Sequence, residues 1–306
     1  MEVPASIIYE SPSCSTIYHV EDKVKIGQDL YIFKLRNKSI KTHPHSTGLE
    51  LSGKSVQVTS LKNNVSRYYT ICQCMWTGMY QYLLALESAN NDKGFTRKYQ
   101  SIHDYNQQLS NDLQIVAKVY PQSSKGLSKQ LFDAKNDDKF YVTGPFGKGI
   151  KTKSGTNMFV VAGTGILPFM DIFACFARQI LKMYKPKYSV FTDETSNMFD
   201  NNTNFLVYAY YKSESQATGY NFCKLLSDLC YKLGIQEKFT FKYQFSSKNS
   251  ERLNMKSIVN MIDIKLEKPI SKIYVCGTPS INELFEKNLK DVVEISGLDK
   301  TDVEIL

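Results

Sequence analysis

The feature that most constrains the fold is a change of sequence pattern after Gly155, where short apolar runs begin to alternate with helical segments. The apolar runs are "NMFVVAG", "NFLVYAYY" and "SKIYVCG". The segments that follow them are "LPFMDIFACFARQILKMY", "NFCKLLSDLCYKLG" and "SINELFEKNLKDVV". Strands that alternate with helices in this way predict parallel βαβ units. We therefore expect a doubly wound parallel α/β domain over residues 153–306.

The preceding part of the chain contains strand-like runs separated by turns. These runs are "LYIFKL", "KSVQVTSL", "RYYTICQC", "LQIVAKVY" and "DKFYVTG". Alternating, β-branched and aromatic runs of this length predict an antiparallel barrel or sandwich. The predicted fold class is thus α+β with two domains: a tail over 1–18, an antiparallel β-barrel over 19–152, and then the α/β domain. Polar stretches at about 86–112 and 185–204 are predicted insertions, because loops of this length are usually functional or disordered.

Composition narrows the class of protein. The seven cysteines include no Cys-x-x-Cys pair, which favours reduced thiols in an intracellular protein. The formal charge of +8 fits either an acidic partner or a merely basic surface. No basic block is interleaved with aromatic residues, so nucleic acid is not an expected partner. No metal site is predicted, since His43 and His45 have no acidic or cysteine neighbour in the sequence.

Membrane insertion and export are not expected. No stretch approaches eighteen apolar residues, so no transmembrane segment is predicted. The opening "MEVPASIIYESPS" carries two glutamates and no arginine, which argues against a signal peptide and more weakly against a mitochondrial transit peptide. The expected location is intracellular, either cytoplasmic or peripheral on a membrane, with mitochondria left open.

Two loops in the α/β half lie where a predicted strand meets a predicted helix, which is where open sheets bind ligands. The first contains Gly163, Thr164 and Gly165, with Pro168 at the start of the next helix. Glycines there let a phosphate approach the backbone and the free N–H groups of a helix N-terminus. The second loop contains Cys276 and Gly277. Taken alone, the first loop is equally well explained as a structural turn, and Cys276 has the alternative explanation of a buried small apolar residue.

The barrel half has a corresponding candidate site in "SRYYTI". In an extended strand Arg67 and Tyr69 share one face, which places a cation for a phosphate beside a ring for stacking. Farther along, "AKVYPQSSKGLSKQL" supplies Lys118, Gly126 and Ser128, and the run from Ser128 is able to open a helix. A surface arginine on an ordinary strand is the alternative explanation.

Taken in order, these motifs resemble those of the ferredoxin-NADP reductase superfamily, most closely its NADH-cytochrome b5 reductase branch. The motif Arg-x-Tyr-Ser/Thr is matched by Arg67–Thr70, and the Gly-x-x-Ser turn by "KGLS", with its glycine one place later at Gly126. Gly-Pro-x-Gly is matched by Gly144–Gly147, Gly-Thr-Gly-Ile-x-Pro by Gly163–Pro168, and Cys-Gly-x-Pro by Cys276–Pro279. The resemblance covers about residues 20 to 306.

The resemblance implies an FAD-binding barrel followed by an NAD(P)-binding α/β domain. It implies FAD and NADH as cofactors, with NADPH as the other choice, and electron transfer to a protein acceptor. The catalytic residues would be Thr70, near flavin N5, and Cys276, which would shape the nicotinamide site. The implied cofactor-binding residues are Arg67, Tyr68, Tyr69, Thr70, Val116, Lys118, Pro121, Gly126, Leu127, Ser128, Gly163, Thr164, Gly165, Pro168, Cys276 and Gly277.

Several positions depart from the family pattern, chiefly on the nicotinamide side. The chain ends at Leu306 where the family commonly has an aromatic residue, and "CGTPSI" lacks one proline and the methionine of the usual motif. Coenzyme choice is open, because Lys212 and Ser213 suit a 2'-phosphate whereas Glu214 suits a ribose hydroxyl. The expected partner is an acidic electron acceptor such as a b-type cytochrome. The alternative is a reductase-like accessory subunit of a larger assembly, with little or no turnover.

Overall fold

The computed structural model describes residues 16–37, 51–88, 113–120, 122, 126–135, 138–184, 199–247, 253–262 and 269–306. The described strands are β1 (Thr16–Gly27), β2 (Leu30–Arg36), β3 (Ser55–Ser60), β4 (Ser66–Thr70), β5 (Leu113–Lys118), β6 (Lys139–Phe146), β7 (Thr156–Ala162), β8 (Asn204–Tyr211), β9 (Phe239–Phe245), β10 (Ile270–Cys276) and β11 (Val303–Ile305). The described helices are α1 (Met75–Ser88), α2 (Leu127–Asp133), α3 (Leu167–Tyr184), α4 (Tyr220–Lys232), α5 (Met255–Ile262), α6 (Pro279–Lys287) and α7 (Leu289–Ser296).

These elements group into two compact units, the first of which is the predicted antiparallel barrel. Its six strands follow the order β4-β3-β6-β1-β2-β5, and every pairing is antiparallel. An isolated bridge between Ile71 and Ile115 joins the region after β4 to β5 and closes the sheet on itself. Side-chain alternation buries Val56 and Val58 inside the barrel. Leu127 of α2 belongs to the same buried core.

The second unit contains a parallel sheet in the order β11-β10-β7-β8-β9. Its central strand β7 is buried along its whole length, as expected for a parallel strand covered on both faces. From β7 the chain adds β8 and β9 on one side, then returns to the other side with β10 and β11. The strand order therefore reverses between β7 and β10. The predicted two-domain fold class, a barrel followed by a doubly wound parallel domain, is confirmed.

Helix α1 groups with the second unit, although it lies inside the range 19–152 predicted for the barrel. It packs against α3 and α4, and Trp76 lies near Phe222 of α4 with ring centroids 6.5 Å apart. Met79 and Tyr82 are also buried. The predicted domain bounds remain predictions. Most of the two predicted insertions, residues 89–112 and 185–198, lies outside the described residues.

Among the described residues, one helical stretch has the length and composition of a membrane span. It is Gly163–Tyr184, which comprises a 3-10 turn and α3. The fold buries 83% of its most apolar segment. Phe169 and Phe173 of α3 pack on Phe159 of β7, each with ring centroids 5.0 Å apart. The apolar composition of α3 is therefore explained by its place in the core.

Candidate functional site

The reversal of strand order brings two predicted loops together at the carboxyl ends of β7 and β10. The strands pair with Cys276 opposite Val161, so Gly163 and Gly277 follow directly at the same edge of the sheet. In open α/β sheets the crevice at such a reversal is the usual ligand site. The structure therefore assembles Gly163, Thr164, Gly165, Cys276 and Gly277, which the sequence separates by more than a hundred positions.

The two glycines of the first loop serve different purposes. Gly163 has φ +56° in the left-handed region, and a Cβ built there would meet no atom of the described residues within 4 Å. It thus leaves open space beside the loop, as approach of a phosphate to the backbone requires. A Cβ at Gly165 would instead lie 2.1 Å from the Cys276 carbonyl oxygen. Gly165 is therefore required for close contact between the two loops.

The neighbours of these glycines differ in what they present to a ligand. Thr164 is exposed at the centre of the 3-10 turn Gly163–Ile166. Pro168 is buried in the first turn of α3, where its missing N–H costs no helical hydrogen bond. Among these residues, Thr164 and the backbone around Gly163 are the groups best placed for ligand contact, and Pro168 shapes the helix start.

Cys276 is half-buried at the end of β10. Burial raises the pKa of its thiol to about 11. The thiol is therefore protonated at neutral pH, and it is neither a ready nucleophile nor a base. This protonation state gives no support to covalent catalysis by the thiol.

Lys212, Ser213 and Glu214, the residues considered for coenzyme choice, follow the carboxyl end of β8. Lys212 and Glu214 are exposed, and the hydroxyl of Ser213 lies 3.2 Å from that of Ser215. Both the cation and the carboxylate thus face solvent near the ligand edge of the sheet. The choice between NADH and NADPH stays a prediction.

In the barrel unit, the pairing of β4 with β3 decides where its side chains point. Arg67 pairs with Val58 and Tyr69 with Val56, so the side chains of Arg67 and Tyr69 share one face of β4. Tyr69 is half-buried against the core. Burial raises its pKa to about 12, partly offset by the positive charge of the nearby Arg67. A guanidinium and a neutral phenol are therefore adjacent on one face of β4.

Arg67 itself is exposed, and one of its donors is used within the described residues. Its Nη1 donates to the carbonyl oxygen of Ser66 at 2.8 Å. A guanidinium has five N–H donors, so this bond leaves capacity for a phosphate or carboxylate. Tyr68 points the other way, where it is half-exposed and meets the ring of Phe146 edge-on at 5.6 Å between centroids. Thr70 ends β4 opposite Ser55.

The remaining predicted flavin residues lie on β5 and α2. The bridge between Ile71 and Ile115 brings the end of β4 beside β5, which carries buried Val116 and half-buried Lys118. The Nζ of Lys118 lies 5.8 Å from the centroid of the Tyr120 ring.

The predicted Gly126–Ser128 turn starts α2. Gly126 is its N-cap, Leu127 lies in the barrel core, and Ser128 is buried. The helix has seven residues. The carbonyl oxygen of its N-cap, Gly126, accepts from the N–H of Gln130. Burial of Leu127 assigns that side chain to packing. Pro121, like His43 and His45, lies outside the described residues.

A separate polar cavity of about 180 Å³ opens in the barrel unit and is not lined by any of the predicted residues. Its walls include Lys62 and Asp138, which form an ion pair with an N–O distance of 2.7 Å. The hydrogen bond from Lys62 lowers the pKa of Asp138. These two charges neutralise each other, and Asp133 and Lys139 also line the cavity. In the described part of the chain, no cluster of His, Cys, Asp or Glu side chains is arranged to hold a metal.

Sequence reasoning overlooked Asn282, in α6. Its Oδ1 accepts from the N–H of Gly277 at 3.1 Å, and its Nδ2 donates to the carbonyl oxygen of Leu306 at 2.7 Å. The side chain thus joins the second glycine loop to the residue that follows β11. An asparagine within an amphipathic helix carries no sequence signal for such a role, because its two partners lie in distant parts of the chain.

No protein-family model matches this sequence, and no curated protein matches it. Solved structures do match its fold. The cytochrome b5 reductase domain of Ulva prolifera nitrate reductase is 15% identical with a TM-score of 0.57, over 96% of this chain and 98% of that one. A mutant ferredoxin-NADP+ reductase from Plasmodium falciparum, in complex with 2'P-AMP, is 16% identical with a TM-score of 0.55, over 98% of both chains.

One part of a longer protein of known structure has the same fold. An intact type IV self-sufficient cytochrome P450 monooxygenase is 15% identical with a TM-score of 0.51. The match covers 95% of this chain, which spans 28% of that longer protein. At these identities the likeness concerns the fold. The chain shares the fold of these reductase structures, and the predicted resemblance is confirmed for the fold.

Proposed function

We propose that this chain, which has the ferredoxin-NADP reductase fold, is an FAD-dependent oxidoreductase that oxidises NADH or NADPH and reduces a protein acceptor. The observation that carries the proposal is the crevice between β7 and β10. There Gly163 has a left-handed backbone conformation and open space beside it. Gly165 has no side chain, which allows the second glycine loop to contact the first. A crevice used only as a structural turn would need neither the open space nor the exposed Thr164.

The residues of the barrel fit a flavin nucleotide. Arg67 would bind the pyrophosphate through its remaining donors, since guanidinium and phosphate oxygens form bidentate hydrogen bonds. Tyr69, held beside Arg67 on the same face of β4, would pack against the flavin. Thr70 would donate or accept near flavin N5, and Lys118 and Ser128 would contribute further polar contacts. These assignments follow the family resemblance and are consistent with the positions of β4, β5 and α2.

The α/β unit fits the nicotinamide nucleotide. Gly163 and Thr164 would face its phosphates, and Gly165, Cys276 and Gly277 would line the nicotinamide position. When bound, the two cofactors supply the redox chemistry, a hydride that passes from nicotinamide C4 to flavin N5 followed by single electrons to an acceptor. The protein contributes orientation of the rings and exclusion of water. Because the Cys276 thiol stays protonated, it would act as a neutral packing group, as would the Cys276 carbonyl.

For the acceptor we favour an acidic haem protein such as a b-type cytochrome. A formal charge of +8 would attract an acidic partner and speed its association. The location we favour is intracellular. Five described cysteines are buried free thiols and Cys276 is half-buried, which suits a reducing compartment.

Replacement of the proposed pyrophosphate ligand tests the flavin half of the proposal. Arg67→Gln keeps a polar side chain and removes the cation, so FAD should bind at least about tenfold more weakly, the loss expected for a charge-assisted hydrogen bond. FAD affinity is measured by fluorescence titration of the apoprotein. Arg36→Gln is the matched control, because Arg36 is an exposed arginine of the same unit that pairs with Glu21.

The control should bind FAD as the wild type does. Equal affinity in the Arg67 and Arg36 variants would remove Arg67 from the site. A folded wild-type protein that does not bind FAD would overturn the proposed function altogether. A protein that binds FAD but is reduced by neither NADH nor NADPH would support the accessory-subunit alternative.

A further inference from the structure

The side chain of Asn282 closes a ring of hydrogen bonds at the ligand edge of the parallel sheet. The N–H of Leu306 donates to the carbonyl oxygen of Val275 at 2.9 Å. The carbonyl oxygen of Leu306 then accepts from Asn282, and Asn282 in turn accepts from Gly277. The last residues of β10, the first glycine after it and the residue after β11 are therefore tied together by one amide side chain.

The orientation of this amide is fixed by its partners. Gly277 offers a backbone N–H, which needs an acceptor, and Leu306 offers a carbonyl oxygen, which needs a donor. A side-chain amide carries both on one carbon, so asparagine satisfies the two partners at once. Aspartate would keep the acceptor but place a second oxygen against the Leu306 carbonyl, and leucine would satisfy neither group.

Helix geometry explains how Asn282 reaches the loop. Thr278 is the N-cap of α6, and its carbonyl oxygen accepts from the N–H of Asn282 at 3.1 Å. Asn282 therefore lies one turn into the helix. Side chains on a helix tilt toward its N-terminus, which directs the amide back over Gly277. The loop is thus held by the helix that it leads into.

The position of this loop sets one wall of the crevice. A Cβ at Gly165 would lie 2.1 Å from the Cys276 carbonyl oxygen, so the Cys276–Gly277 backbone is in direct contact with the Gly163–Gly165 turn. On the other side, a Cβ at Gly277 would lie 3.1 Å from the Cβ of Ala162. With so little clearance, small shifts of Gly277 alter the space between the two loops.

We propose that Asn282 is a positioning residue that holds the Cys276–Gly277 loop where the nicotinamide of NADH or NADPH binds. The proposal rests on the proposed function for the identity of the ligand. Asn282 does not itself react. It fixes the backbone of Gly277 and, through Leu306, fastens the crevice wall to the edge of the sheet formed by β11. Its loss should weaken nicotinamide binding and leave flavin binding intact.

Two variants and one control test this role. Asn282→Leu removes both hydrogen bonds, and Asn282→Asp keeps the acceptor in a side chain of the same shape. Asn288→Asp is the control, because the Nδ2 of Asn288 donates to the Leu284 carbonyl oxygen at 2.7 Å within the helical segment that leads from α6 to α7. This control removes an equivalent side-chain bond without touching the loop.

The first readout does not depend on activity. Amide hydrogen exchange of Gly277, followed by NMR on the apoprotein, should be about fivefold faster in Asn282→Leu, the change expected for loss of one ordinary hydrogen bond. Asn282→Asp should leave Gly277 protected, and the control should do the same. Unchanged exchange of the Gly277 amide in Asn282→Leu would show that Asn282 does not hold this loop.

The second readout is steady-state kinetics of the flavin-loaded protein. Asn282→Leu, which removes both hydrogen bonds, should raise KM for NADH about fivefold with a much smaller change in kcat, since the held position of the loop serves binding. FAD affinity should match that of the wild type in every variant. An unchanged KM together with faster Gly277 exchange in Asn282→Leu would overturn the nicotinamide role, whereas failure of NADH and NADPH to reduce the wild type would overturn the proposed function before any substitution is made.

Discussion

At the scale of the residue, the Gly163–Gly165 turn shows two independent reasons for a glycine. Gly163 needs one for its φ of +56°, and the space beside it is open. Gly165 needs one because the backbone of Cys276 leaves no room for a side chain. The first glycine therefore leaves space beside the loop, and the second allows the contact between the two loops. A Gly-x-Gly pattern in a sequence does not distinguish these cases.

The contact predicts the effect of a small substitution. Gly165→Ala should lower the free energy of unfolding by about 2 kcal/mol, because a Cβ placed against backbone forces the loops apart as overpacking does. Urea unfolding monitored by circular dichroism measures the change. Gly27→Ala is the control, since the nearest atom to its Cβ would be 3.5 Å away. Equal stability of Gly165→Ala and wild type would contradict the close contact.

At the scale of the element, α1 is the clearest case of a segment that does not pack with its neighbours in the sequence. It follows a barrel strand and precedes another, yet its apolar face covers α3 and α4 of the other unit. Met79, Tyr82 and Leu83 lie on this face and are buried. A helix that buries side chains in this way is part of the core of the α/β unit.

Truncation of a buried α1 side chain tests that role. Met79→Ala should lower the free energy of unfolding by about 2–4 kcal/mol, the usual loss for a buried methionine. Gln81→Ala, on the exposed side of the same helix, should change it by less than about 0.5 kcal/mol. Both changes are measured by urea unfolding with far-UV circular dichroism. If the two variants were equally stable, α1 would not be part of the core.

Local patterns predicted three of the five parallel strands and missed β9 and β11. β9 reads "FTFKYQF", in which polar residues alternate with aromatic ones. Such alternation is typical of a strand with one covered face, and β9 buries Phe239, Phe241 and Phe245. β11 has three residues and exists through its pairing with β10. Its formation depends on a distant partner, which a local pattern cannot reveal.

The same limit applies to the candidate site. The glycine loops could be predicted because each combines a strand end, a glycine turn and a helix start in continuous sequence. The contact of Gly165 with Cys276, the clamp by Asn282 and the packing of α1 could not, because each joins segments that are distant in the chain. Leu127 shows a further limit, since its side chain packs in the barrel core whereas its predicted role in cofactor binding stays a prediction.

At the scale of the whole molecule, two units each supply one part of the proposed chemistry. The barrel offers an exposed guanidinium beside a neutral tyrosine, and the parallel sheet offers a crevice between two glycine loops. The central claim is therefore that one chain binds FAD and accepts a hydride onto it from a nicotinamide nucleotide.

Anaerobic absorption spectroscopy tests that claim most directly. The purified protein, loaded with FAD, should show the oxidised flavin band and lose it on addition of NADH or NADPH, to the same extent as with dithionite in a parallel sample. A flavin band that dithionite removes and neither nucleotide changes would contradict the claim, as would a folded protein that takes up no FAD.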